Sequence, residues 1–134
     1  KDFQKPGRDT LTAHVAEMKG VACASYFAAL FCDRLGLPRD RFRFVNVAVL
    51  DASAVFDPST ADTKSRFYSV EERLTGAWVK MNSNTGFADN RPEYALAQAF
   101  SHFTHHATDG ELMVLDVQGN VSADGRFVLS DPAV

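Results

Sequence analysis

The sequence predicts a mixed α+β domain, and three observations carry that prediction. Two segments repeat apolar residues at three- and four-residue steps and end near glycine or proline. Between and after them lie short runs with the alternation or the apolar density of strands. The two kinds of segment follow one another irregularly, with no internal repeat and no low-complexity stretch. At 134 residues and 46% hydrophobic content, the chain suits one globular domain or part of one.

The first helix is expected over Thr10–Leu35, with Val15, Met18, Ala22, Tyr26, Ala29 and Cys32 as its apolar stripe. Gly36 supplies a stop and Pro38 forbids continuation. Arg41–Leu50, "RFRFVNVAVL", reads as one strand, and residues 51–65 as a mobile loop containing Pro58. Arg66–Val70 and Ala77–Met81 are two further strands, separated by the bend "EERLTG". "NSNTG", Asn82–Gly86, is turn chemistry. A second helix is expected over Pro92–His106, with Asn90 as its cap and Leu96, Ala99, Phe100 and Phe103 as its apolar face. Leu112–Gln118 reads as a strand, then a small-residue loop leads to the apolar run in "FVLSDPAV".

Net charge is -3, from 14 basic and 17 acidic residues, which gives no footprint for general nucleic-acid binding or a basic membrane surface. No stretch is read as reaching the roughly 18 apolar residues of a membrane span. The opening Lys-Asp-Phe-Gln-Lys-Pro is neither a signal peptide nor a start methionine, so the sequence is expected to be clipped in front. Cys23 and Cys32 lie nine residues apart on one helix, about 13 Å along its axis. They cannot pair there, and two unpaired cysteines point to a reducing compartment, the cytoplasm.

Period-two alternation places Leu112, Val114, Asp116 and Gln118 on one strand face, with Gly119 allowing a tight turn after them. A carboxylate beside an amide at a strand exit suits a cation or a substrate hydroxyl. Alone, this stretch favours the plainer reading, an aspartate that caps a helix or pairs with an arginine. Asp131 in "LSDP" adds a second acid; with Asp116 and Gln118 it would suit magnesium, although Asp-Pro turns are common. "SHFTHH" sets His102 and His106 on one helix face without the frame of a zinc protease. His105 and His106 are expected on a polar face, and His102, between Phe100 and Phe103, to need a partner. Lys80 shares a strand face with Trp78 and, by itself, reads as a solvated charge. No phosphate-loop motif, Ser-His-Asp order or Cys-His dyad is present.

Four words in order, "VEERLTGAWVKMNSNTGF", "AFSHFT", "GELMVLDVQG" and "LSDP", resemble the alpha-kinase family of atypical protein kinases. The resemblance runs from Val70 to Pro132 and extends more weakly over Thr10–Leu50. It implies a two-lobed protein-kinase-like fold, incomplete at both ends. Residues 1–81 would be the N-lobe part and hinge, and residues 82–134 the C-lobe part. It implies ATP-dependent phosphorylation of serine or threonine in a protein substrate, with ATP and Mg2+ required. The bend from Glu71 to Gly76 would be the hinge, with backbone near Glu71 and Leu74 holding adenine. Lys80 would lie by the nucleotide, and Asn82 and Asn84 in an asparagine-rich loop. Asp116 matches the catalytic aspartate, Gln118 a metal- or phosphate-side residue, and Asp131 a magnesium ligand. His102 matches a ligand of a structural Zn2+. Asn120 stands where the family usually has valine, and the loop from Val121 to Phe127 is longer than usual. The glycine-containing loop, the phosphate-binding lysine and the remaining zinc ligands are not recognised, so these 134 residues alone are expected not to turn over ATP. An inactive kinase-derived domain that binds nucleotide or a protein partner is the alternative.

Overall fold

A computed structural model describes residues 10–52, 54 and 66–134, so most of the loop expected over residues 51–65 lies outside the described residues. Helix α1 spans Leu11–Leu35. Thr10 sits in extended backbone and its hydroxyl oxygen accepts the Ala13 N–H, satisfying one orphan donor of the first turn. Gly36 adopts φ 65, a left-handed C-cap, and the Leu37 N–H returns to the Cys32 carbonyl at 2.9 Å.

The helix buries His14, Val21, Ala24, Phe27, Ala28, Phe31 and Cys32, so of the expected stripe Cys32 alone is buried. Ala22 is exposed and Tyr26 is 62% exposed. α1 carries two apolar stripes about 100° apart, and the one with two phenylalanines wins the core because aromatic burial removes more surface from water. By length and composition α1 also qualifies as a candidate membrane span, with a window of mean hydropathy 1.3, which corrects the expectation that no stretch does. In the fold it packs on protein, against three strands and the second helix.

The expected strand over Arg41–Leu50 is two strands: β1, Phe42–Phe44, and β2, Val47–Asp51. The chain leaves one sheet at Val45–Asn46 and enters another. β2 pairs antiparallel with β3, Phe67–Glu71, in a two-stranded sheet. β1 joins a four-stranded sheet with β4 (Trp78–Lys80), β5 (Gln118–Val121) and β6 (Phe127–Ser130), in the order β1-β6-β5-β4. Its β1–β6 pairing is parallel and the others antiparallel.

Register divides this sheet into two chemically distinct faces. One carries Phe42, Phe44, Phe127, Leu129, Val79 and Val121, packed in the core. The other carries Arg43, Lys80, Gln118, Asn120, Ser130 and Trp78. The core face meets α1 and α2 through a phenylalanine cluster: Phe42 lies 4.8 Å from Phe100, 5.7 Å from Phe31 and 5.3 Å from Phe127 between ring centroids.

Helix α2, Ala95–Ala107, follows a 3-10 turn over Pro92–Tyr94. Its entry is organised by Asp89 rather than the expected Asn90. The Asp89 carboxylate accepts the Arg91 N–H at 3.1 Å and chelates the Arg91 guanidinium, whose hydrogen bonds hold that carboxyl below its ordinary range. α2 buries Ala97, Phe100, Ser101 and Thr104, while Ala99, expected on the apolar face, is exposed. His102, His105 and His106 are all exposed, so His102 needs no buried partner.

The strand expected over Leu112–Gln118 begins where it was expected to end, at Gln118. Asp116 adopts φ 52, and this left-handed residue breaks the alternation. Val114 and Val117, three apart rather than two, are the fully buried pair.

Two outcomes test this packing. Phe42→Ala should cost about 3–5 kcal/mol of stability in denaturant titration, because the core around Phe42 cannot collapse onto the void. Cys32 is fully buried, and burial pushes its thiol above the ordinary value. At pH 8 it therefore holds less thiolate, and iodoacetamide should label the half-buried Cys23 well before Cys32 in the native protein, read by peptide mass.

Candidate functional site

β5 and β6 form a regular ladder as far as Gln118↔Ser130, then open. The pairing resumes at Leu115↔Ala133, where the N–H groups donate at 2.8 and 3.0 Å to each other's carbonyls. Asp116 and Val117 on one side, and Asp131 and Pro132 on the other, leave the ladder between these points. Asp116 and Asp131 have φ 52 and 53. A left-handed residue turns its side chain out of the strand alternation, and aspartate tolerates that conformation better than most residues. The two acids singled out from the sequence therefore flank one small opening. Such backbone outliers gather at functional sites.

Lys80 lies opposite Gln118 across β4 and β5. Its ammonium reaches Asp116 Oδ1 at 2.7 Å. That oxygen is sealed from solvent, and the contact is an ion pair rather than an aligned hydrogen bond. Asp116 is 15% exposed and Lys80 43%, so the lysine keeps one side in water while its ammonium pairs with a nearly buried carboxylate. The sequence offered an arginine or a helix end as the partner of Asp116, and a solvated role for Lys80; the structure joins the two. Gln118 turns its Nε2 to donate to the Asp131 carbonyl at 3.2 Å, which leaves its amide oxygen facing the other way.

The residue that holds this arrangement was read from the sequence only as part of a turn. Asn82 is 3% exposed. Its Oδ1 accepts the Val117 N–H at 2.9 Å, and its Nδ2 donates to Ser101 Oγ at 2.9 Å and Gln98 Oε1 at 3.2 Å. The Met81 N–H donates to the Val117 carbonyl at 2.9 Å. Asn82 thus clamps the residue beside Asp116 to both β4 and α2. Gly119 is needed here as well: a Cβ on it would collide with the Val128 carbonyl, so β5 could not approach β6. Asn84 is exposed on the turn after Asn82 and makes no hydrogen bond to the Lys80–Asp116 pair.

The bend after β3 approaches the same sheet face. The Glu71 carboxylate accepts the Ser130 hydroxyl at 2.7 Å, and Glu72 pairs with Arg43 at 2.7 Å. Leu74 is half-buried. Asn120 donates to the Ala77 carbonyl at 3.1 Å, and its amide fills the space a Cβ on Gly76 would occupy. Behind β3, the Ser69 hydroxyl donates to Glu17 at 2.6 Å and so must accept from His14 Nδ1 at 2.8 Å, which fixes the proton on Nδ1. The serine is the middle member of that chain and is buried, so the trio is a brace between α1 and β3 rather than a nucleophilic triad.

Asp116, Asp131 and Gln118 offer oxygen donors and no sulfur or imidazole, the ligand class that would suit magnesium with phosphate and water completing its shell. Zinc is different. His102 is exposed on α2, and no three His, Cys, Asp or Glu side chains among the described residues converge on a metal-sized space. His102 alone does not make a zinc site. Two open clefts of about 390 and 410 Å³ lie at the far end of the sheet, lined by Asp40, Arg41, Arg43, Asp124 and Arg126. Arg126 pairs with Asp40 and Asp124, and Arg43 with Glu72, so the charges there are largely satisfied among themselves.

The Asn82 clamp makes a quantitative prediction. Asn82→Ala leaves the Val117 N–H buried without its acceptor, and should cost about 1–3 kcal/mol in chemical denaturation. The Asp116–Val117 segment should then exchange its amide protons faster than α2 does.

The sequence pattern of the alpha-kinase family matches residues 1–134. Alpha-protein kinase vwkA of Dictyostelium discoideum is 31% identical over 71 residues, 53% of this chain and 11% of its own. Eukaryotic elongation factor 2 kinase of Caenorhabditis elegans is 42% identical over 55 residues, 41% of this chain and 7% of its own. The chain therefore spans about a tenth or less of the length of these curated relatives. The fold is similar to the apoenzyme alpha-kinase domain of myosin-II heavy chain kinase A, with TM-score 0.77 and 24% identity, covering 97% of this chain and 46% of that one. The same domain in complex with AMP-PNP aligns with TM-score 0.75 and 24% identity, covering 96% of this chain and 46% of that one. With the family pattern running the length of the sequence and the mixed α+β architecture superposing on that domain, the chain belongs to the alpha-kinase family.

Proposed function

We propose that the protein carrying this chain is an ATP-dependent protein kinase that transfers the γ-phosphoryl group of ATP to a serine or threonine hydroxyl. One observation carries the reading: Lys80 and Asp116 form an ion pair at the edge of an opening shared with Asp131 and Gln118. Solved relatives in the family were crystallised with ADP and AMP-PNP, which supports a nucleotide as the ligand. In this reading residues 1–81 supply the N-lobe part and the hinge, residues 82–134 the C-lobe part, and the protein works in the cytoplasm.

Phosphoryl transfer asks a protein for position and charge rather than covalent chemistry. Asp116 is the acceptor for the substrate hydroxyl: its carboxylate orients that oxygen and takes the proton as the bond to the γ-phosphorus forms and the bond from that phosphorus to the bridging oxygen breaks, releasing ADP. Lys80 holds the carboxylate in one orientation and offsets negative charge arriving beside it. Gln118 and Asp131 would supply oxygens to Mg2+, which when bound would neutralise phosphate charge. Backbone at Glu71 and Leu74 receives the adenine, and Asn84 closes the loop nearby. His102 contributes one zinc ligand only if other ligands come from elsewhere in the protein.

Asn120 favours a second reading, nucleotide binding without transfer. It replaces the valine usual in the family and ties its polar amide to Ala77, the residue directly after the hinge bend. The two readings separate in one experiment on the full-length protein. Asp116→Asn, which keeps the side-chain shape and tolerates the left-handed backbone, should lower phosphoryl transfer to a generic protein substrate by about 10²–10⁴-fold while changing the melting temperature and calorimetric ATP affinity little. Transfer retained in that variant removes Asp116 as the base. Wild-type protein that binds ATP but transfers nothing supports the second reading. Phosphoamino-acid analysis of the product decides whether serine and threonine are the acceptors.

A further inference from the structure

We infer that Ser130 and Glu71 form a tether that positions Asp131 for its divalent cation, and so couples the hinge to the metal side of the site. The inference rests on the kinase reading for the identity of the cation and goes beyond it in naming a positioning residue.

Ser130 ends β6 in the four-stranded sheet, and Glu71 ends β3 in the two-stranded sheet. Ser130 is wholly buried, and its hydroxyl donates to Glu71 Oε2 at 2.7 Å. A hydroxyl bonded to a carboxylate is charge-assisted, stronger and more directional than a neutral pair. Asp131 is the next residue. It is held at φ 53, with its carbonyl fixed by Gln118 Nε2 at 3.2 Å and the chain beyond it fixed by the Leu115–Ala133 bridge. On the upstream side Ser130 is paired with Gln118 in the ladder, and the tether adds a side-chain restraint to that last paired residue. Magnesium demands near-octahedral geometry at about 2.0–2.1 Å, so a small displacement of one carboxylate degrades binding. Glu71 also opens the hinge bend. The hinge thereby has a direct side-chain link to the last ladder residue before Asp131.

The test uses the full-length protein, Mn2+ as a paramagnetic stand-in and a non-hydrolysable ATP analogue, with Mn2+ binding followed by electron paramagnetic resonance. Ser130→Ala should weaken Mn2+ binding about tenfold, within the range of ordinary coupling between sites. Nucleotide affinity measured without divalent ion should change less than twofold. Ser130→Thr keeps the hydroxyl and should restore Mn2+ binding. Glu71 is exposed, so Glu71→Ala breaks the same bond without a core void and serves where Ser130→Ala folds poorly. The double variant should be no worse than either single one. Wild-type Mn2+ affinity in both Ser130→Ala and Glu71→Ala, or additive losses in the double variant, overturns the tether alone. Wild-type protein without any Mn2+-dependent nucleotide binding overturns the tether together with the kinase reading.

Discussion

The contact between Phe42 and Phe100 sets the terms for everything else. It brings strand β1 against helix α2 at 4.8 Å between rings, with Phe31, Phe44 and Phe127 closing around it. Because strand side chains alternate, fixing Phe42 inward fixes Arg43 outward. Register then propagates the choice across β6, β5 and β4, so Ser130, Gln118 and Lys80 must share the opposite face. The polar face is thus a consequence of hydrophobic packing. A slip of one residue would send the phenylalanines to water and the lysine to the core.

What the sequence discloses depends on how local the determinant is. The limits of α1 are legible because Thr10, Gly36 and Pro38 act within a turn of the residues they stop. The buried face of α1 is not legible from periodicity, since two stripes satisfy the same period and the choice between them is made by Phe42 and Phe100, far away in sequence. The break in "RFRFVNVAVL" is equally hidden, because nothing in the residues says that β2 has a different partner from β1.

The site shows the same division. Asp116, Gln118 and Asp131 stand out as polar residues at the ends of apolar runs. Their mutual placement does not, because alternation assumes extended backbone and Asp116 is left-handed. The resemblance placed Lys80 by the nucleotide, but its pairing with Asp116, 36 positions on in the chain, became readable only in the structure. Asn82 looks like turn chemistry because its partners Val117, Gln98 and Ser101 lie 35, 16 and 19 residues away. One signal was available: an asparagine directly after a strand that ends in methionine, before a turn already provided by Ser83 and Gly86. That position had no need of a second turn-forming residue.

The departure of the chain at Val45–Asn46 has a mechanical consequence. The β2–β3 sheet joins the four-stranded sheet through only two covalent crossings among the described residues, at Val45–Asn46 and along Glu72–Ala77. Two attachment points define a line, and a rigid plate fixed to a line retains one rotation. Off that line the small sheet is held by α1, which packs on both β2 and β3, by Val47 against the core cluster, and by the hydrogen bonds from Ser69 to His14 and Glu17. The architecture therefore makes α1 the stop on that rotation: the small sheet follows the helix, and Phe31 of the helix is packed on Phe42 of the sheet that carries Lys80.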